Sequence, residues 1–201
     1  MTNLQWILAV GFLYILVLGG FSFLRREALS GQFTIEGLVL TGLGAALVYA
    51  GLPVQPILFL VVIYLVTMRI RLLVDLATML ARRGKFDWSE KLFALAENLF
   101  PDRSSRLILR INQAAMLYFS GRVELAVKML EEALSPGNRA FLGVKYEAAG
   151  HYNLGIAYRR QGEDTRATRE FKETIDSWPS SIYAHQAEIA LSKGRANINN
   201  P

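Results

Sequence analysis

The chain has 201 residues, of which 52% are hydrophobic and 19% are charged. The charges are unevenly divided. Residues 1–68 contain four charged side chains with no net charge, and residues 69–201 contain the other 20 basic and 15 acidic ones, a net charge of +5. This division excludes a simple soluble globule and a disordered charged tail. The absence of cysteine excludes disulfides, thiolate nucleophiles and cysteine-based metal sites.

Three apolar stretches predict membrane spans, at about residues 6–24, 33–52 and 54–68. The first has 19 residues without a charge, enough for a helix to cross a hydrocarbon core of ~30 Å. A cleaved signal peptide is the alternative for this stretch, but no positive charge precedes it. Pro53 and Pro56 predict a tight turn between the second and third stretches. Because the third stretch is short, two spans with one later stretch re-entrant or tilted are the alternative to three.

Basic residues flank the predicted spans on one side. Arg25 and Arg26 follow the first span, Arg69 and Arg71 follow the third, and neither residues 1–5 nor the turn at 51–56 has a cation. Short loops rich in lysine and arginine stay on the cytoplasmic side of a membrane. The sequence therefore predicts an integral, multi-pass membrane protein with its N-terminus outside and its C-terminal domain in the cytoplasm.

Small residues recur every four positions in the second predicted span. Gly42, Ala46 and Ala50 have the spacing that lets helices approach closely in lipid. We predict that they pack either against the chain's own spans or against a helix of a partner. Glu36 lies near the cytoplasmic end of this span, where the headgroup level suits a carboxylate, so a proton-relay role is not expected.

A helical repeat begins at residue 69. Alignment on Gly84, Gly121 and Gly162 gives three units, spaced 37 and 41 residues apart, with one predicted helix before each glycine and one after it. Glycine ends a helix in the left-handed conformation. One position of the first helix is small in each unit, which lets paired helices pack closely. Its residues are Ala77, Ala114 and Gly155.

The third unit has the most complete motif, formed by Leu154-Gly155, Tyr158, Gly162, Ala167, Phe171 and Pro179. With these residues the sequence resembles the tetratricopeptide repeat (TPR) family, whose unit of about 34 residues has the pattern W-x2-L-G-x2-Y, A-x3-F and P. Three positions depart from that pattern: His151 stands at the tryptophan, Ser89 at an alanine of the first unit, and Gln113 at the leucine of the middle unit.

The resemblance implies an all-α fold. Membrane helices in residues 1–68 are followed by an α-solenoid of about three TPR helix pairs in residues 69–193, with Ser180–Lys193 as a C-terminal capping helix and 194–201 as a frayed tail. No glycine or proline lies between Ile57 and Ala81. We therefore expect the third span to continue unbroken into the first repeat helix, with Arg69 and Arg71 extending to the lipid phosphates.

The sequence lacks the motifs of common enzyme classes, including the nucleophile elbow, the phosphate-binding loop, the dinucleotide-binding glycine motif and the zinc-protease motif. His151 and His185 have no second ligand at metal-binding spacing and are interpreted as packing or surface residues. We expect no enzymatic activity, metal, cofactor or small-molecule substrate. Acidic residues are interspersed among the basic ones, so we expect no nucleic-acid binding either.

The resemblance also implies a concave groove, lined by the first helix of each unit, that binds a peptide or helix of another protein. The candidate groove residues at the family's spacing are Thr78, Asn112, Tyr118, Tyr152, Arg159 and Arg160. Val74 and Thr78 occupy two positions where chaperone-binding members hold a C-terminal carboxylate, so that role is disfavoured.

The sequence thus predicts a membrane-anchored TPR scaffold or assembly factor that binds a protein partner at the cytoplasmic membrane face. The alternative is a permanent accessory subunit of a membrane complex, of photosynthetic or respiratory type, that docks through its transmembrane helices. The predicted partners are one or more proteins of such a complex and the lipid bilayer.

Overall fold

A computed structural model of the chain describes residues 2–24 and 31–199. Within these residues it has eleven α-helices and no strand, so the prediction of a helical chain is confirmed. The first three helices are α1 (Asn3–Leu24), α2 (Gly31–Tyr49) and α3 (Pro56–Thr67). The other eight are α4 (Arg69–Arg82), α5 (Phe86–Asn98), α6 (Arg103–Phe119), α7 (Val123–Ala133), α8 (Pro136–Arg139), α9 (Val144–Arg160), α10 (Asp164–Ser177) and α11 (Ile182–Asn199).

Helices α1 and α2 are both long and apolar enough to cross a membrane. Helix α3 has 12 residues, which extend only about 18 Å, so it reaches a membrane-spanning length only together with α4. The three helices pack around a small apolar core that includes Ile7, Phe59 and Ile63. Their outward faces expose many large apolar side chains, as a lipid-facing surface does. The predicted loop residues Arg25 and Arg26 lie outside the described residues.

Helices α3 and α4 are bent by 68° at Met68, so the expectation of one unbroken helix is wrong. The two helices bury their apolar faces on different cores. Helix α3 buries Phe59 and Ile63 against α1 and α2, whereas α4 buries Ile70 and Val74 against α5 and α6. Tertiary packing contributes most of the stability of a helix. The two cores therefore give α3 and α4 different axis directions, although no glycine or proline lies at the break.

A polar junction connects α4 to α2. Arg69 Nη1 and Nη2 donate to Glu36 Oε2 and Oε1 at 2.5 and 2.8 Å, and Nη2 also donates to the carbonyl of Leu99 at 3.3 Å. Gln32 Nε2 donates to Glu36 Oε1 at 2.7 Å, and Gln32 Oε1 accepts the N–H of Asp102 at 2.9 Å. Arg69 therefore forms a bidentate ion pair with Glu36 within the protein. The expectation that it extends to lipid phosphates is wrong.

Three helix hairpins follow, formed by α4 and α5, α6 and α7, and α9 and α10. Each turns at the predicted glycine, where φ is 72° at Gly84, 85° at Gly121 and 80° at Gly162. In every turn the N–H after the glycine donates to the carbonyl five residues earlier, the bond that defines a Schellman cap. These bonds join Lys85 to Leu80, Arg122 to Leu117 and Glu163 to Tyr158, all at 2.9 Å.

Equivalent positions of the three hairpins are buried. They are occupied by Ala77, Ala114 and Gly155 in the first helices, and by Ser89, Ala126 and Ala167, then Phe93, Leu130 and Phe171, in the second helices. Ser89 can occupy a buried alanine position because its hydroxyl is satisfied by a hydrogen bond that it donates to the carbonyl of Ala77 at 2.8 Å. The first helices α4, α6 and α9 contact one another in order, and α11 packs beside α9 as the fourth member of this row.

The short helix α8 accounts for the longer spacing before the third unit, since it is inserted between α7 and α9. Helix α11 begins near the start of the predicted capping helix, and it buries Ala184 and Ala187. It continues to Asn199, into the segment predicted as a tail. Residues 200 and 201 lie outside the described residues.

Candidate functional site

A groove with a cavity of about 420 Å³ lies between α4, α6, α9 and α11. Helices α4 and α6 form its floor, where Val74 and Ile108 are buried. Lys145 and Tyr146 from α9 line it from one side, and Tyr183 lines it from α11. Its volume lies within the range of cavities that hold small ligands or a few side chains of a peptide. We call this cavity the groove.

Two predicted groove residues meet on its floor. Thr78 Oγ1 donates to Asn112 Oδ1 at 3.5 Å, and Asn112 Nδ2 donates to the carbonyl of Ile108 at 2.8 Å. These bonds orient the Asn112 amide, and both side chains are only partly buried. A ligand in the groove would therefore meet this polar pair beside Val74 and Ile108.

The charged residues that line the groove are mostly basic. Arg71 and Arg82 come from α4 and Lys145 from α9, and one acid, Asp75, lies among them. Three cations facing one carboxylate give this surface a positive potential, which favours acidic segments of a partner and steers their approach.

Tyr152 and Tyr118 do not line the groove. The Tyr152 ring is 6.0 Å from the rings of both Phe171 and Tyr183, so it supports the groove-lining Tyr183. Burial raises the pKa of Tyr152, nearby Tyr118 raises it further, and Arg159 opposes the shift. The Tyr152 hydroxyl is therefore neutral at physiological pH.

Arg159 and Arg160 have different surroundings. Arg159 Nη1 donates to the carbonyl of Ala190 at 2.8 Å, and its guanidinium carbon lies 4.7 Å from the Phe171 ring centroid. It thus joins α9, α10 and α11 as a packing residue. The guanidinium carbon of Arg160 lies 5.3 Å from the Tyr118 ring centroid on the exposed surface. Neither arginine lines the groove.

Sequence reasoning missed Arg71, Arg82, Lys145 and Tyr183 as groove residues. Arg71 and Arg82 stand on the same α4 face as Val74 and Thr78, so helical periodicity was a usable signal for them. Tyr183 had no such signal, because α11 was expected to cover the last hairpin and not to line a cavity.

The predicted packing residues of α2 point outward. Gly42, Ala46 and Ala50 are exposed, and a side chain added at Gly42 would meet nothing within 4 Å. The close contact with α1 is made by the neighbouring stripe, where Gly37 faces Ile15 and Thr41 faces Gly11. Of the two alternatives for the outward stripe, packing against a partner's helix is the one that stays a prediction.

A buried polar cluster lies between α9 and α10. His151 Nδ1 and Glu170 Oε2 are 2.7 Å apart, and Arg169 donates to Glu170 Oε1 at 2.9 Å. Burial alone would raise the pKa of Glu170, but the hydrogen bonds from His151 and Arg169 outweigh it and hold the pKa below its ordinary value. The two paired side chains are 2% and 4% exposed, so a substrate cannot reach them.

A second pair joins Tyr158 of α9 to α7. Its hydroxyl donates to Glu131, and burial together with this bond raises the pKa of Tyr158 strongly. His185 by contrast is largely exposed, near Glu188. No group of three metal-ligating side chains occurs within residues 2–24 and 31–199.

No protein-family model matches the chain, no curated protein matches it, and no solved structure matches it.

Proposed function

We propose that the chain is a membrane-anchored TPR protein that holds a partner protein at the cytoplasmic membrane face, as a scaffold or assembly factor. The observation that carries the proposal is the groove, which is lined by three cations and one acid. Its ligand is a segment of another protein that carries acidic side chains. The protein acts by binding and not by catalysis.

The repeat assignment is supported by the three equivalent turns. Gly84, Gly121 and Gly162 share one backbone conformation and one capping bond, at the spacing found in the sequence. The small position of the first helix and the alanine and phenylalanine positions of the second helix are buried in every hairpin. In such arrays the first helices present the binding surface, and here α4, α6 and α9 contribute to the groove.

The membrane assignment is supported by α1 and α2, which are of spanning length and apolar on their outward faces. The N-terminus is placed outside, and the repeats in the cytoplasm, by the distribution of basic residues. Ile70, Arg71 and Ser105 line both the groove and a small cavity at the junction with α2, so the groove begins next to the membrane.

A second candidate is an accessory subunit that docks through its spans. The outward stripe of Gly42, Ala46 and Ala50 favours it, because small residues exposed to lipid allow close approach of another helix. The two candidates differ in which surface holds the partner.

The test is a pull-down of the full chain from mild detergent, with partners quantified by mass spectrometry. The groove variant combines Arg82→Glu with Lys145→Glu. The matched control, Arg83→Glu with Lys128→Glu, makes the same charge change at exposed residues outside the groove. We expect the groove variant to bind roughly tenfold more weakly and the control to bind normally.

A span variant, Gly42→Leu with Ala46→Leu, tests the second candidate. If it loses the partner while the groove variant retains it, the accessory-subunit function is correct and the scaffold function is wrong. If both variants retain the partner, both proposals are wrong.

A further inference from the structure

Phe100 is unusually exposed for an aromatic residue. Its side chain is 86% exposed, more than any other large apolar side chain described after residue 68. Its φ of 53° lies in the left-handed region, where it is the only non-glycine residue among those described. A bulky side chain is disfavoured there. The loop between α5 and α6 thus holds a phenylalanine outward at a conformational cost.

The loop is attached to the membrane end of α2. Gln32, in the first turn of α2, donates to the carbonyl of Phe100 at 3.0 Å and accepts the N–H of Asp102 at 2.9 Å. Arg69 donates to the carbonyl of Leu99 while it pairs with Glu36. These bonds hold Phe100 at the level where α2 begins, which is the edge of the candidate span.

Two arginines follow the loop at the start of α6. Arg106 is exposed and donates to the carbonyl of Pro101 at 3.4 Å, whereas the Arg103 guanidinium lies over the Phe141 ring and donates to the carbonyl of Gly137. Aromatic side chains concentrate at the boundary between headgroups and acyl chains, and nearby arginines are attracted to anionic headgroups. Phe100 is an exposed aromatic side chain held at the end of a candidate span with Arg106 nearby, as residues at such a boundary are.

We propose that Phe100 inserts into the lipid bilayer that α1 and α2 cross, at the boundary between headgroups and acyl chains. The repeats then contact the membrane at two places, the start of α4 and the loop between α5 and α6. Two contacts fix the tilt of the hairpins relative to the membrane, which one contact would leave free. This inference rests on the proposed membrane insertion of α1 and α2.

The absence of cysteine in the chain allows a direct test. Single-cysteine variants Phe100→Cys, Trp88→Cys and Leu16→Cys carry a nitroxide label in the full chain, reconstituted in nanodiscs of phosphatidylcholine and phosphatidylglycerol. Electron paramagnetic resonance then compares label collisions with oxygen, which partitions into lipid, and with a water-soluble nickel chelate. Trp88 is 62% exposed at the far end of α5, and Leu16 is 71% exposed on α1.

We expect the labels at positions 100 and 16 to favour oxygen and the label at 88 to favour the nickel chelate. If position 100 collides with nickel as often as position 88 does while position 16 favours oxygen, the inference is overturned and membrane insertion stands. If position 16 also favours nickel, the proposed insertion fails and the inference fails with it.

A second measurement avoids the label. In a chain with Trp6→Phe, Trp88→Phe and Trp178→Phe, the variant Phe100→Trp provides a single tryptophan. Lipids brominated near the headgroup should quench it several-fold more strongly than an aqueous quencher does. Equal quenching by the aqueous reagent at positions 100 and 88, with tryptophan restored at 88 as the comparison, contradicts the inference.

Discussion

Gly155 and Phe171 form a close contact between α9 and α10. Adding a methyl group at Gly155 and removing ring atoms at Phe171 tests the packing of the third hairpin. A Cβ atom at Gly155 would lie 2.7 Å from Cε1 and 2.8 Å from Cδ1 of the Phe171 ring. That is about 0.7 Å closer than ordinary carbon contact. The ring cannot retreat, since it is fully buried between Tyr152 and Arg159.

The single changes should both destabilise. Overpacking by Gly155→Ala costs about 1–3 kcal/mol, of which the better helix propensity of alanine offsets about 1 kcal/mol. Phe171→Leu removes ring atoms from a full core and costs about 1–2 kcal/mol. In the double variant the new methyl group enters the space that the ring has left. We therefore expect the double variant to be at least about 1 kcal/mol more stable than the sum of the single changes predicts.

The test is urea unfolding of the full chain in mild detergent, followed by circular dichroism. It compares the unchanged protein, the two single variants and the double variant. Gly137→Ala is the control, because a Cβ atom there meets nothing within 4 Å, and its effect should stay within about 0.5 kcal/mol. If the two changes add to within about 0.5 kcal/mol, the described contact between α9 and α10 is not the one the protein makes.

Three further predictions concern the turn, the buried acid and the junction. Gly162→Ala should lower stability by about 1–2 kcal/mol in thermal unfolding, since φ is 80° there, whereas Gly162→Asn should cost less; equal losses would contradict a left-handed turn. Glu170→Gln should cost about 3 kcal/mol at pH 7. Because the pKa of Glu170 is lowered in the folded protein, this contribution is present above the ordinary carboxyl pKa and is lost as pH falls through the lowered pKa, which unfolding at a series of pH values measures. Glu36→Gln and Arg69→Gln should be non-additive in thermal unfolding by about 1–2 kcal/mol, and independent effects would show that the ion pair does not form in the protein.

Local signals in the sequence were enough to locate the glycine turns of the three hairpins. Gly84, Gly121 and Gly162 end helices because each helix stops in a conformation that other residues avoid, and this requirement depends on a few neighbouring residues only. The apolar stretches at the N-terminus were similarly clear, because lipid-facing helices need long uncharged runs.

Features that depend on distant packing were not visible in the sequence. The bend at Met68 has no glycine or proline to mark it, since it arises where α3 and α4 join different cores. Arginine is common in binding sites, but the guanidinium of Arg159 donates to the carbonyl of Ala190 and contacts the Phe171 ring within the protein. Periodicity gives the face of a helix on which a residue lies, but it does not give the neighbour that occupies that face.

The shared lining of the groove and the junction cavity has a thermodynamic consequence. Ile70 and Arg71 follow the bend directly, and both line the two cavities. A ligand that binds the groove better at one bend angle must, by linkage, favour that angle to the same extent. If α1 and α2 cross a membrane as proposed, bilayer thickness would act on the bend from the other side, through α3. Ligand affinity at the groove and the thickness of the surrounding membrane would then both depend on the equilibrium of the bend angle.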